Sequence, residues 1–202
     1  MDVVAIANWL VVKYPTAQLA HRLDRDTSGV LLIAKNDKIY EYLKNLFQTR
    51  EIKKKYLALV YGQVKNNPPA GGGTINLPIG RSRQDPRKRI AGKGATSKLR
   101  EAITEYQVLE RFDKYTLVEA RPKTGRTHQI RVHFKALGYP IVADQLYAPA
   151  SLLWQGDALP IKRQALHATS LELVLPSGVK KELKAGLPED FELTLDELRK
   201  KE

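Results

Sequence analysis

Between His21 and Gly29 the chain reads His-Arg-Leu-Asp-Arg-Asp-Thr-Ser-Gly, placing two carboxylates and two guanidiniums within residues 22–26. A polar turn of this kind running into an apolar segment is how a scaffold presents a positioned acid. Asp24 and Asp26 would share a face if the turn entered a strand directly, and paired carboxylates suit glycosidic bond cleavage by acid and base. Two further polar segments stand beside predicted element ends: Lys53-Lys54-Lys55-Tyr56 and Thr124-Gly125-Arg126-Thr127-His128-Gln129-Ile130-Arg131-Val132-His133. Metal chemistry is a poor fit, because His128 and His133 are five apart and a helical ligand pair needs four. With no cysteine in the chain, thiolate ligands, cysteine nucleophiles and disulfides are excluded. Gly92-Lys93-Gly94-Ala95-Thr96-Ser97 has two glycines without a third and without a strand before it, so a phosphate-cradling loop is not expected. Neither a metal nor an organic cofactor is expected, and His21 and His167 read as hydrogen-bonded structural histidines.

The elements that must hold these residues are legible in outline. Residues 3–12 are apolar on most sides and predict a buried helix that ends at Tyr14-Pro15. Val30 to Ala34 predict a short strand buried on both faces. Asn36 or Asp37 can cap a helix whose stripe is Ile39, Leu43, Leu46 and Phe47 and which runs to about Arg50. Lys55 to Tyr61 predict a strand closed by Gly62. Residues 62–100 predict surface loop and hairpin, with Pro68-Pro69, Gly71-Gly72-Gly73 and a basic run of Arg81, Arg83, Arg87, Lys88, Arg89 and Lys93.

Ile103 to Phe112 and Tyr115 to Ala120 alternate as strands and predict a hairpin turning at Asp113-Lys114. Pro122 to Gly125 stop the second strand, and Arg126 to Leu137 have helical spacing, ended by Gly138 and Pro140. Leu171 to Leu175 predict a strand before a turn at Pro176-Ser177-Gly178, and Leu193 to Leu198 a short amphipathic helix. Helices and strands mix without regular alternation, so the expected class is α+β, with a mixed, mostly antiparallel sheet flanked by helices. At 202 residues, one domain over residues 1–202 is expected, with the basic region at about 62–100 as its irregular part.

Thirty-four Lys and Arg against 22 Asp and Glu give a formal charge of +12, an electrostatic footprint for a polyanion, with nucleic acid ahead of an anionic membrane. No run approaches the roughly 18 apolar residues of a membrane span, and the start lacks the pattern of a secretory signal. A soluble, cytoplasmic and monomeric protein is expected.

The three polar segments, in this order, resemble the signature segments of RNA pseudouridine synthases of the RluA type, from about Leu19 to Ala148 and more weakly around Leu166-His167-Ala168. The resemblance implies the catalytic fold of that family and isomerisation of uridine to pseudouridine in ribosomal or transfer RNA. It makes Asp24 the catalytic aspartate and Arg131 the arginine paired with it. Tyr56 becomes the aromatic residue stacked on the target base, Ile130 the apolar residue on the base's other side, and Arg22 an arginine that fills the gap left by an extruded base. Arg126, Lys123 and the basic run are expected to contact phosphates.

These roles are physically coherent. A guanidinium within ~4–6 Å favours the charged form of a carboxylate. An aromatic and an aliphatic side chain facing each other make a slot for a base, and stacking is worth ~1–3 kcal/mol per base. Extruding a uridine costs a few kcal/mol of stacking and pairing, part of which an inserted Arg22 restores. Attack on the sugar, attack on the base and removal of a ribose proton all need an ionised carboxylate in one place, so the three routes stay open. Asp26 reads as a loop or Arg-paired surface acid and Asp144 as structural.

Two departures from the family pattern stand out. A Lys-Pro-x-Gly-like segment that family members carry earlier is absent before Met1, so an N-terminally incomplete domain is expected; and Ala143-Asp144 stands where the family has Gly-Asp. The rival readings are a catalytically inactive RNA-binding or ribosome-assembly protein of the same fold, and a nucleoside hydrolase using Asp24 and Asp26, which free uracil would betray.

Overall fold

A computed structural model describes residues 6–65, 71–92, 94–95, 98–155 and 159–201. Pro68-Pro69, Lys93, Thr96, Ser97 and the first three residues of the predicted N-terminal helix lie outside the described residues. Helix α1 (Ile6–Lys13) is followed by β1 (Gln18–Leu19), β2 (Ser28–Gly29), β3 (Ile33–Ala34), α2 (Asp37–Gln48) and β4 (Lys53–Tyr61). Then come β5 (Gly72–Asn76), β6 (Ile79–Arg81), β7 (Arg89–Ala91), β8 (Ile103–Arg111), β9 (Tyr115–Pro122) and α3 (Gln129–Ala136). Helix α4 (Ala150–Gln155), β10 (Leu166–Val174), β11 (Lys180–Lys184) and α5 (Glu189–Arg199) complete the chain. The class is α+β, as the mixture of periods predicts.

The main sheet has seven strands in the order β11-β10-β4-β9-β8-β5, with β2 added parallel to β10 and the other pairings antiparallel. Strands β2 and β11 share one edge of β10, because β2 pairs with His167 and Ala168 while β11 takes Ser170 to Val174. The registers set Gly29, Ala168, Tyr56, Ala120 and Tyr106 in one row across five strands. Motifs remote in sequence thus meet by strand pairing. Gly29 has φ +119°, and a Cβ there would stand 2.2 Å from the Ala168 carbonyl oxygen, so only glycine lets β2 dock at this edge.

The largest cluster of buried apolar residues joins β4, β9, α3 and α5 through residues such as Leu59, Val118, Phe134 and Phe191. A second seats α2 against β10 through Leu43, Leu46, Leu171 and Leu173. The side chain of Asn36 caps α2 by accepting from the Ile39 N–H at 3.0 Å.

Five expectations need correction. Val30 to Ala34 is not a strand buried on both faces: only Ile33–Ala34 is extended in a ladder, paired with Gln18–Leu19, and Ile33 is exposed. The segment crosses from the main sheet to this small ribbon, so Leu32 and Ala34 face inward and Ile33 does not. The N-terminal helix lies on the surface, with Leu10 buried and Trp9, Val12 and Tyr14 exposed. The helix read from Arg126 begins at Gln129, and the strand read from Leu171 begins at Leu166, where β2 and β4 claim its earlier residues. The last helix begins at Glu189, whose turn carries Glu189, Asp190 and Glu192, acids that favour a helix N-terminus. In the basic region β6 and β7 form the expected hairpin, while Gly72–Asn76 extends the main sheet at its edge.

Candidate active site

The loop carrying Asp24 is fixed from both ends. At its start, the His21 ring accepts a hydrogen bond from the Leu32 N–H at 2.9 Å and packs on Phe47 with ring centroids 4.9 Å apart. Within it, Asp26 takes a left-handed backbone (φ 69°), and the Thr27 N–H closes a turn on the Asp24 carbonyl at 3.0 Å. From the other side, Gln164 donates to the Arg25 carbonyl (2.7 Å) and to the Thr27 hydroxyl (2.8 Å), while Arg163 donates to the Asp26 carbonyl (3.0 Å). Arg163 is itself held by two 2.8 Å bonds to Asp190.

Burial drives His21 down to about 4, so at neutral pH the ring is an uncharged acceptor for the Leu32 N–H. The unfolded chain binds a proton between pH 6.5 and 4 that the folded chain refuses. Stability therefore falls as pH drops through that window, by up to about 3 kcal/mol, and no further from this group below 4. Denaturant titrations across that range should show the slope, and His21→Gln, which keeps an acceptor without titrating, should flatten it; an equal slope in both proteins contradicts the assignment.

The turn before α3 is built around Gln129. Its side-chain oxygen accepts from the Thr124 hydroxyl (2.7 Å) and the Arg126 N–H (2.9 Å), and its amide donates to the Ile103 carbonyl and the Thr104 hydroxyl, both at 3.0 Å. This buried amide has all its groups satisfied, and His128 turns left-handed (φ 57°) just before the helix. Residues 126–128 are thereby pulled out of the helix predicted from their spacing and face the site as a loop.

Arg131, in the first turn of α3, is buried and doubly held. Its Nε and Nη2 donate to the Asp144 carboxylate at 2.7 and 2.8 Å, and its Nη1 reaches Asp24 Oδ2 at 3.4 Å. Side-chain exposure is 0% for Asp144, 6% for Arg131 and 15% for Asp24, so the three charges rise from the core toward solvent with Asp24 at the open end. Arg131 pairs with Asp24 as expected, but Asp144 is its closer partner. Asp144 also accepts from the Leu146 and Tyr147 N–H groups at 3.0 and 3.1 Å. The Arg131 guanidinium lies 5.0 Å from the Tyr147 ring centroid.

Ala143 just before it has φ 55°. A left-handed residue with a Cβ is strained, so Ala143→Gly should stabilise the fold by about 0.5–1 kcal/mol after the added freedom of the unfolded chain is counted. A rise in the denaturant midpoint checks this; a fall contradicts it.

In front of Asp24 opens a cleft of about 560 Å³, and five of the six singled-out residues line it: Asp24, Tyr56, Ile130, Arg22 and Arg126. Arg131 lies behind Asp24. Tyr56 is pushed up to about 12, first by burial and then by the charge of Asp24, so it stays a neutral phenol beside the carboxylate. Among the described residues Asp24 is the only acid lining the cleft, whereas Arg22, Lys44, Arg50, Lys54, Lys123 and Arg126 supply positive charge. Asp26 does not line it; it faces solvent, 3.9 Å from exposed Arg25, which removes the two-carboxylate geometry of a hydrolase. Arg22 is exposed, and among the described residues its side chain makes no hydrogen bond or ion pair.

Arg126 sits where this cleft meets a second groove of about 700 Å³, bounded by Arg81, Arg89, Lys98 and Arg100. Its Nε donates to the Glu101 carbonyl at 2.8 Å, which steers the guanidinium along the boundary.

His128 and His133 go to different partners, Tyr147 for the first and Thr104 with the Leu77 carbonyl for the second. His167 meets the Ser28 hydroxyl at 2.9 Å. Among the described residues no group of three or more His, Asp or Glu could hold a metal, and no helix is long and apolar enough to cross a membrane.

Sequence reading assigned no site role to Gln129, Asp144, Tyr147 or Lys54. For Asp144 the Ala143-Asp144 pair marked the position but not its partner; Tyr147 and Lys54 bond to residues far away in the chain, and Gln129 bonds to distant Ile103 and Thr104 as well as to nearby Thr124 and Arg126.

A family model described as RNA pseudouridylate synthase matches residues 3–136. An uncharacterized RNA pseudouridine synthase of Chloroflexus aurantiacus is 42% identical over 203 residues, covering 96% of this chain and 60% of the relative. Ribosomal large subunit pseudouridine synthase D of Xanthomonas campestris is 40% identical over 193 residues, covering 92% and 56%. The solved structure of human RNA pseudouridylate synthase domain containing 1 aligns with a TM-score of 0.77 and 30% identity, over 91% of this chain and 74% of that one. The chain thus spans 56–60% of the length of these two curated relatives.

Proposed function

The chain belongs to the RNA pseudouridylate synthase family, and on that premise we propose that it isomerises uridine to pseudouridine in RNA, with Asp24 as the catalytic carboxylate. The observation that carries the reading is the lone acid: one carboxylate, backed by a buried guanidinium, at the inner end of a cleft lined by a phenol, an aliphatic side chain and a rim of cations.

Uracil enters the slot between Tyr56 and Ile130 beside Asp24. The C1′–N1 bond breaks with the participation of Asp24, the base turns in the slot, and C1′ bonds to C5. The hydrogen on C5 leaves as a proton and N1 gains one, so the product has the composition of the substrate. Arg131, fixed by Asp144, aims Asp24 at the slot. Arg22, exposed at the cleft with its side chain unpaired among the described residues, is placed to occupy the gap left by the extruded base.

Arg126 and the groove of Arg81, Arg89, Lys98 and Arg100 hold phosphates of the adjoining strand, a contribution to affinity that carries no base reading. The names of relatives such as the Xanthomonas campestris protein favour large-subunit ribosomal RNA as the substrate. A monomeric, cytoplasmic enzyme is part of this proposal, in keeping with a ribosomal RNA substrate.

Nucleoside analysis of a large-subunit ribosomal RNA transcript tests the reaction: uridine should be lost and pseudouridine gained in equal amounts, with no free uracil. Release of uracil would assign the site to hydrolysis, and binding of RNA without either product would assign the chain to RNA binding alone.

A further inference from the structure

Lys54 leaves β4 two residues before Tyr56, so the two side chains share a face of the sheet, and both line the cleft. Its ammonium donates to the Thr124 carbonyl at 3.1 Å and lies 3.8 Å from where a Cβ would stand on Gly125. Its charge is also felt by His21 at the start of the Asp24 loop. Lys54 therefore stands where the three signature segments converge.

An ammonium carries three N–H donors. Among the described residues the Thr124 carbonyl takes one of them, and no carboxylate pairs with Lys54. Three other cations lining the cleft are paired: Lys44 has Glu41, Arg50 has Glu101 and Lys123 has Glu105, whereas unpaired Arg22 is exposed. A largely buried, unpaired cation is costly unless something arrives to complete its shell. Gly125, without a side chain, leaves the approach to the ammonium open.

We propose that Lys54 binds the phosphate of the nucleotide whose base enters the cleft, docking that phosphodiester against the Thr124-Gly125 turn. One repeat along a strand face, about 6.8 Å, separates Lys54 from Tyr56, which is comparable to the separation of a nucleobase from the phosphate of its own nucleotide. The same lysine thus ties the base-stacking strand to the backbone-holding turn. This inference rests on the proposed reaction only for the identity of the nucleotide.

The charged and titratable groups facing Lys54 are Arg50 from the end of α2, His21 and Asp24 from the loop before β2, Tyr56 from its own strand, and Lys123 and Arg126 from the turn before α3. Burial, and then the charge of Arg50, lowers Lys54 to about 8. The binding form is the protonated one, so affinity for RNA falls as pH rises through that value. Arginine stays charged throughout this range.

Salt and pH titrations of oligouridylate binding test the contact without requiring turnover. Lys54→Gln should weaken binding roughly tenfold and lower the salt slope by about 0.7, the share of one single-strand phosphate. Lys54→Arg should retain the slope and lose the fall in affinity above about pH 8. A Lys54→Gln protein within twofold of wild type in affinity, with the slope intact, overturns the proposal, as does a Lys54→Arg protein that keeps the pH dependence; a purely structural lysine would move neither slope nor pH profile. Wild-type protein that binds with the predicted slope but forms no pseudouridine would sink the proposed reaction and leave this contact standing.

Discussion

Replacing Asp24 with asparagine is expected to lower pseudouridine formation by about 10³-fold or more while leaving the protein folded. The size follows from the chemistry: each route open to this residue, as nucleophile or base, needs a negative oxygen, and an amide of the same shape supplies none. Survival of the fold follows from Arg131, whose two shorter bonds go to Asp144 and not to Asp24. The guanidinium remains paired when Asp24 is neutral. Single-turnover rates with excess enzyme, compared with denaturant midpoints for the same two proteins, separate the effects. A variant with unchanged rate, or one that loses rate only because it unfolds, contradicts the role given to Asp24.

Replacing Asp144 is expected to do the reverse and strike stability first. Asp144→Ala removes the closest partner of a buried guanidinium and leaves it, among the described residues, the 3.4 Å contact to Asp24 and the Tyr147 ring. Breaking a buried ion pair from one side costs about 3–5 kcal/mol, and the Leu146 N–H loses its side-chain acceptor as well, while the Tyr147 N–H keeps the Asp144 backbone carbonyl at 3.2 Å. Unfolding should shift accordingly, and activity should fall in whatever fraction remains folded, because Arg131 no longer holds its angle to Asp24. Asp144→Asn keeps the shape and the acceptor for those N–H groups and should lose less stability. An Asp144→Ala protein within about 1 kcal/mol of wild type would show that the buried pair does not hold the site together.

The contrast between these two acids explains how far the sequence could be read. The compact motif of His21, Arg22 and the Thr27-Ser28-Gly29 turn marked a carboxylate site locally, but it left Asp24 and Asp26 open, and only the distant Tyr56 and Ile130-Arg131 segments pointed to Asp24. The hairpin of β8 and β9 was legible because alternation and a short turn are local signals. Asp144 pairs with a residue 13 positions earlier across a loop, and nothing local marks an aspartate as the partner of a buried arginine. Lys54 sits in a run of three lysines whose members are alike in sequence, and only the fold brings its ammonium to the Thr124 carbonyl, 70 positions away.

Two of the misplaced elements share a cause. Arg126 to His128 have helical spacing, but the Gln129 side chain and the left-handed His128 offer the backbone a different set of hydrogen bonds, and those win. Val30 to Ala34 looks like a buried strand because it is uniformly apolar, yet its length is spent crossing between two sheets. In both places a tertiary contact overrides a local preference, and both places flank the site.

The most direct test of the account uses RNA tritiated at C5 of uridine. Formation of the C1′–C5 bond expels the C5 hydrogen, so wild-type protein should release tritium to water in step with pseudouridine, and Asp24→Asn should release it about 10³-fold more slowly. Tritium retained in the RNA, or carried off in free uracil, would contradict the assignment of Asp24 to isomerisation.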